Sequence, residues 1–194
     1  MKTVNEKNRC PWPVNDELMI EYHDTEWGTP LHDEEKHFEF LLLECFQAGL
    51  SWSTILHKRE NFRKAFASFD AKKVARFGEK EIQKLLEDKG IIRNRLKILA
   101  AISNAQQFLN IQAEYGSFDA YIWSFTNGKQ VINKLTASSP FPVVSELSDR
   151  VSKDLKKKGF KFVGSTTIYA HLQAIGVIND HLVDCFRYRE CSKT

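Results

Sequence analysis

The chain has 194 residues, with 28 Lys and Arg against 25 Asp and Glu, a formal charge of +3 with neutral histidines. That size suits one domain, or two small lobes sharing a core, and a content of 42% hydrophobic and 12% aromatic residues excludes a disordered chain. No window approaches the roughly 18 apolar residues of a membrane-spanning helix. MKTVNEKNRCPWPVNDE lacks the apolar run of a signal peptide, so a cytoplasmic protein with no membrane partner is expected. Disulfides are then not expected, which leaves Cys10, Cys45, Cys185 and Cys191 as core thiols, metal ligands or reactive groups. The small positive excess permits a nucleic-acid partner without requiring one.

Most of the sequence repeats with helical periodicity, and an all-α fold is expected. Asp33 reads as an N-cap for a helix over 34–48 carrying Phe38, Leu41, Leu42 and Cys45, with Gly49 as its stop. Ser51 opens a second helix with Ile55, Leu56, Phe62 and Phe66, broken at Phe69-Asp70. Short helices follow over 71–77 and 79–88. A long one over 92–114 carries a stripe of Leu96, Leu99, Ile102, Ala105, Leu109 and Ala113, stopped by Gly116. After a short helix over 118–126, NGKQVINKLTASSPFPVVS reads as a surface crossing. A basic helix over 146–158, a tight hairpin FKFVG and a helix over 165–174 complete the pattern. No repeat or linker separates independent domains.

Four features could carry chemistry. His181 and Cys185, four apart, would share one face of a helix, a workable bite for a tetrahedral metal with Cys10 and His23 at the other end of the chain. The plain alternative is a pair of ordinary helix-end residues. Glu44, inside FEFLLLECFQAGLSW, is either a pocket carboxylate or a helix-end glutamate that turns to solvent. Trp12, between two prolines, and Trp52, after a Gly-Leu-Ser turn, sit where pocket walls could be, whereas Trp27 and Trp123 read as core. A flat pocket with one carboxylate suits a planar heteroaromatic ligand with donors or positive charge.

The fourth feature is SKDLKKKGFKFVGSTT. Lys153, Lys156, Lys157, Lys158 and Lys161 make a solvated basic face, or, with the backbone N–H groups from Gly164 to Ser165 and Thr166, a phosphate cradle. GxxxxGK[ST], GxGxxG and GxSxG are absent, so no nucleotide cofactor is expected.

RCPW (9–12), EYHDTEWG (21–28), LECFQAGLSWSTIL (43–56), KRENFRKAF (58–66), KGFKFVGSTTIY (158–169) and NDHLVDC (179–185) together resemble the 3-methyladenine-DNA glycosylase I family over roughly residues 9–186. The resemblance implies a single helix-hairpin-helix glycosylase domain with a helical lobe at about 33–145. The segments 1–32 and 146–194 would be joined by one structural zinc ion on Cys10, His23, His181 and Cys185, with the helix-hairpin-helix at about 146–175. Cys45 and Cys191 are then core and tail thiols.

The resemblance further implies that Glu44 and Tyr22 hydrogen-bond the excised base, that Trp52 stacks on it and that Trp12 lines the pocket. Gly49 and Leu50 match the segment that plugs the gap left by the flipped nucleotide, and an apolar wedge there replaces lost stacking. Met19 departs from the aromatic residue the family often has three before the tyrosine, and Asp180 is given no catalytic role. The implied activity is monofunctional base excision repair: extrusion and hydrolysis of 3-methyladenine from damaged double-stranded DNA, with free 3-methyladenine as product, by a protein expected to be monomeric. The alternative is a non-enzymatic zinc-stapled binder of alkylated or distorted DNA, which has no use for Glu44, Tyr22 and Trp52 together. A third option, a hydrolase of other small heterocycles, would have no use for the lysine-rich hairpin.

Overall fold

The computed structural model describes residues 7–13 and 15–192. In chain order come α1 (Glu17–Thr25), α2 (Glu34–Gln47), α3 (Trp52–Leu56), α4 (Arg59–Ala65), α5 (Ala71–Val74), α6 (Glu79–Glu87), α7 (Arg95–Tyr115) and α8 (Phe118–Ser124). After β1 (Val131–Ile132) follow α9 (Glu146–Lys157), α10 (Ser165–Ala174), β2 (Ile178–Asn179) and α11 (Phe186–Cys191). The all-α expectation holds, and the helix–hairpin–helix is formed by α9, residues 158–164 and α10.

The caps explain several boundaries. Asp33 accepts from the Lys36 N–H at 3.0 Å and Ser51 from the Thr54 N–H at 3.2 Å, satisfying amides that the first helical turn leaves open. The helix opened by Ser51 is, however, two helices, because α3 ends at Leu56 and α4 begins at Arg59. Asp16 caps α1 through the Met19 N–H, a helix that apolar periodicity did not reveal.

α2 is the central element. Every residue from His37 to Phe46 is buried, and the helix packs against α3, α7, α8 and α10. A helix enclosed on all sides must pair or neutralise each polar group it carries. α7 corrects the expected stripe: Ile102 and Ala105 are buried, but Leu96 and Leu99 are exposed, Leu109 is half-buried and Ala113 is exposed. Its inward face is instead Lys97, Ile98, Ala101, Asn104, Ala105, Phe108 and Ile111. Two polar residues there serve the elements they face, described below.

The two ends of the chain meet. The Phe186 N–H donates to the Asn8 carbonyl at 2.9 Å, and Gly28 and Leu31 donate to the carbonyls of Gln173 and Ile175 at 3.0 and 3.1 Å. Gly176, at φ +68°, lets this contact close, since a Cβ there would collide with the Thr29 backbone. The 127–145 crossing is not only a surface run: Val131 and Ile132 pair in parallel with Ile178 and Asn179, tying it to the C-terminal segment.

Candidate active site and metal centre

Between α1, the C-terminal half of α2, α3 and α10 lies a cavity of about 370 Å³. Trp12, Met19, Tyr22, Trp27, Glu44, Gln47, Trp52, Phe141, Pro142, Ala170 and Gln173 line it. The aromatic wall is continuous, with the Tyr22 ring 5.1 Å from Trp52 and 6.3 Å from Trp12, and Trp12 edge-on to Trp27 at 5.0 Å. Trp12, Tyr22, Glu44 and Trp52, singled out in the sequence, are therefore together. Trp27 is buried as expected, and its ring also faces this cavity. Trp123 is core, its indole N–H donating to the Leu31 carbonyl at 3.1 Å.

Polar atoms of this wall are left without partners. Glu44 Oε2, Trp12 Nε1 and Trp52 Nε1 are all buried and make no hydrogen bond with any described residue. Glu44 does not escape to solvent, at 3% exposure, and burial raises its pKa to about 8. Tyr22 is likewise pushed up, first by burial and then by the neighbouring Glu44. A buried carboxyl oxygen without a partner costs free energy unless a ligand supplies one.

A larger cleft of about 540 Å³ opens on the other side of Tyr22, among Glu26, Glu39, Arg59 and Arg63. Its charges already answer one another: Arg59 forks onto Glu26 at 2.6 and 2.8 Å and reaches the buried Glu39 at 2.6 Å, with Arg63 on Glu39 at 2.7 Å. This network pins α1, α2 and α4 together and offers a ligand little unsatisfied chemistry.

The turn after α2 has a device that sequence patterning missed. Lys97 of α7 is buried, and its ammonium donates to the carbonyls of Phe46 and Ala48 at 2.8 and 2.6 Å. It thereby caps the C-terminus of the helix that carries Glu44. Beyond the cap, Gly49 at φ +80° and Leu50 at 40% exposure project outward from the pocket's edge.

Cys10, His23, His181 and Cys185 are all buried, with their ligand atoms within 4.8 Å of one another. Contrary to expectation, His181 and Cys185 do not lie on a helix: a turn closed by the Cys185 N–H on the Leu182 carbonyl at 2.8 Å brings them together, and α11 begins only at Phe186. Cys185 Sγ is 3.5 Å from both His23 Nε2 and His181 Nδ1, and Cys10 Sγ is 3.6 Å from His181 Nδ1. A tetrahedral ion with sulfur at about 2.3 Å and nitrogen at about 2.0 Å would set such edges near 3.5 Å.

Outer partners fix both imidazoles for this role. His23 Nδ1 donates to Asp24 at 2.8 Å, with Asp24 held by Arg9, and His181 Nε2 donates to the Trp27 carbonyl at 2.9 Å. The opposite nitrogen of each ring faces the sulfurs. Hydrogen bonding between the thiols drives Cys185 down and Cys10 up, and His181 and His23 lower Cys185 further. These residues could hold a metal ion and fit one closely.

On the hairpin, Lys157 and Lys161 are exposed, as is Thr166, while Gly164 and Ser165 are half-buried. Lys158 leaves the expected cluster: it pairs with Glu114 at 2.8 Å and lies over the Tyr115 ring at 4.8 Å. Asn104 clamps the hairpin by accepting from the Lys161 N–H at 2.8 Å and donating to its carbonyl at 2.9 Å, and Ser152 donates to the Val163 carbonyl at 2.6 Å. Gly164 has ordinary φ, and a Cβ there would meet nothing within 4 Å among the described residues.

Gln47, Phe141, Pro142, Ala170 and Gln173 join the cavity without any local sequence signal, since each is brought there by tertiary packing. Comparison with known proteins supplies the remaining evidence. A family model described as methyladenine glycosylase matches residues 12–188. DNA-3-methyladenine glycosylase 1 of Escherichia coli (strain K12) is 47% identical over 180 residues, 93% of this chain and 96% of that protein. The DNA-3-methyladenine glycosylase of Haemophilus influenzae is 44% identical over 177 residues, 91% of this chain and 96% of that one. The crystal structure of a 3-methyladenine DNA glycosylase I superposes with a TM-score of 0.89 at 46% identity, over 92% of this chain and 98% of that one. A Staphylococcus aureus structure of 3-methyladenine recognition by the same kind of enzyme gives 0.89 at 39% identity, over 93% and 96%. With every cavity-lining residue from Trp12 to Gln173 inside the matched span, and whole-chain likeness in both sequence and shape, the chain belongs to the methyladenine glycosylase family.

Proposed function

We propose that this chain takes 3-methyladenine out of alkylated double-stranded DNA and hydrolyses its N-glycosidic bond, as a monofunctional enzyme of base excision repair. As a member of its family it is a DNA-3-methyladenine glycosylase, and the observation that carries the substrate is Glu44: a buried carboxyl with an orphaned oxygen, walled by aromatic faces. In the empty pocket its pKa of about 8 keeps it mostly protonated at neutral pH. A cationic base bringing N–H donors offsets that burial with opposite charge and hydrogen bonds and draws out the carboxylate. Glu44 and Tyr22 hydrogen-bond the base, Trp52 stacks on it and Trp12 closes the wall.

Methylation at N3 gives the base a positive charge, so the glycosidic bond is weakened before binding. The pocket has to hold the flipped nucleotide and favour its charged form while water adds at C1′ and neutral 3-methyladenine departs. Normal adenine lacks that charge and is costlier to extrude from its pair. Indole, phenol, amide and thioether side chains with one carboxyl line the cavity, so the attacking group is water rather than an amine. Gly49 and Leu50 fill the gap left in the duplex.

Lys157 and Lys161, with the backbone at Gly164, Ser165 and Thr166, hold a phosphate. The open space beside Gly164, which nothing within the chain requires, supports a close approach of the DNA backbone. Zinc is the ion best suited to two thiolates and two imidazoles, and with four protein ligands it serves structure. We assign one domain over residues 1–194, with the lobe at 33–145 and the terminal segments joined by that ion; residues 1–6, 14 and 193–194 lie outside the described residues. A monomer in the cytoplasm, where thiols stay reduced, completes the reading.

The test is release of free base from methylated duplex DNA, read by chromatography. Wild type is expected to release 3-methyladenine, and Glu44→Gln and Trp52→Ala to be slower by on the order of 100-fold. Binding of that DNA by wild type without any base release would favour the damage-binding alternative.

A further inference from the structure

Gln173 lines the pocket from α10, yet its side chain is not free to turn. Its Nε2 donates to Asp180 Oδ2 at 2.7 Å. Asp180 is fully buried and accepts also from Tyr169 Oη at 2.7 Å and from Asn133 Nδ2 at 2.6 Å. The carboxylate of Asp180 offers only acceptors, so it dictates which end of the amide faces it: the NH₂ must point to Asp180. The amide's carbonyl oxygen is then the end left over, and it makes no hydrogen bond with any described residue. The backbone of Gln173 is also held, its carbonyl accepting from the Gly28 N–H at 3.0 Å.

The pocket thus has a second acceptor, on a different wall from Glu44 and unable to become a donor by rotation. We propose that Gln173 is a specificity-determining residue: its side-chain carbonyl accepts from the exocyclic amine of an adenine-type base and disfavours a base carrying a carbonyl oxygen at that place. The inference rests on the glycosylase reading above and deepens it. Two acceptors facing each other cost affinity because neither finds a proton, so a fixed amide discriminates where a freely turning one would adapt. Asp180 touches no base in this account. It is a positioning residue that acts through Gln173, and Tyr169 and Asn133 hold it in place.

The experiment compares release of 3-methyladenine and 3-methylguanine from the same methylated duplex by wild type, Gln173→Met and Asp180→Asn, with melting curves alongside. The ratio of the two rates is expected to fall on the order of tenfold in Gln173→Met and by less in Asp180→Asn, where the amide is freed to turn. Equal slowing of both bases, or no change, would assign Gln173 to packing and overturn the inference. Release of neither base by wild type would instead sink the glycosylase reading. A ligand-side measurement needs no variant: quenching of the pocket tryptophans by free 3-methyladenine and by 3-methylhypoxanthine, which has a carbonyl in place of the amine. Wild type is expected to bind the second about tenfold more weakly, and equal affinity would refute the role of the carbonyl.

Discussion

Tyr22 and His23 are neighbours on α1, and each is committed to a different buried polar region. On the His23 side, both imidazoles are oriented by outer partners and the four ligand atoms lie within 4.8 Å of one another, three of the pairs at 3.5 to 3.6 Å. On the Tyr22 side, Glu44 Oε2, Trp12 Nε1 and Trp52 Nε1 have no hydrogen-bond partner among the described residues. Polar groups that stay together for the life of the fold are saturated, whereas those kept for a passing ligand are left hungry, at a cost in stability. The difference sets a cluster of mutually satisfied groups beside a pocket wall whose buried polar atoms await partners.

The largest test of that contrast is removal of the saturated centre. Cys185→Ser, or chelation, is expected to cost on the order of 5 kcal/mol and to lower Tm by more than about 10 °C. Base release measured well below the new Tm should fall less than in Glu44→Gln. Metal analysis that finds no zinc together with an unmoved Tm would break the comparison on this side.

The pocket side predicts the opposite behaviour. The pKa of Glu44 is raised from the usual 4.5 to about 8 in the fold, so the native chain holds this proton more tightly than the unfolded one. Stability contributed by the protonated form is present below about pH 4.5, is lost as pH rises, and is fully gone above about 8. Glu44→Gln, whose amide never ionises, should therefore match wild type at pH 5 and exceed it by on the order of 3 kcal/mol at pH 8.5 in denaturant titrations. An inactive variant that is more stable only in alkaline buffer would identify Glu44 as a working group; parallel stability curves would not.

Smaller effects sharpen the boundary between the regions. Lys97→Met should uncap α2, leaving the Phe46 and Ala48 carbonyls unpaired, and cost about 2 kcal/mol in equilibrium unfolding. Its base release should also drop, because Glu44 and the Gly49–Leu50 turn lose their shared anchor. Lys161→Glu should leave Tm unchanged and weaken DNA binding, with the salt dependence shallower by about one to two counterions. An unaltered salt slope would remove the hairpin from the DNA face.

Much of this was legible in the sequence where the signal is local. Asp33, Ser51 and the bounds of α10 follow from caps and glycine placement, and Trp12, Tyr22, Glu44 and Trp52 were gathered by family resemblance and found in one cavity. What failed was decided by neighbours remote in sequence. The α7 stripe was read by hydrophobicity, yet Lys97 and Asn104 face inward because the end of α2 and the hairpin backbone need a donor and an amide there. His181 and Cys185 meet through a turn that the 3.6-residue period cannot announce. Gln173 looked like one more helix residue until Asp180 gave its amide a direction.

Trp27 links the two regions physically, its carbonyl holding His181 while its ring faces the cavity. One side of the pocket is accordingly as stiff as the cluster behind it. Met19 and, from the long crossing, Phe141 and Pro142 also line the pocket, with no part in that cluster. Attempts to redesign the enzyme for bulkier alkyl adducts should enlarge it there, at Met19 and Phe141, since carving into the tryptophan side would dismantle the fold's clasp before it made room.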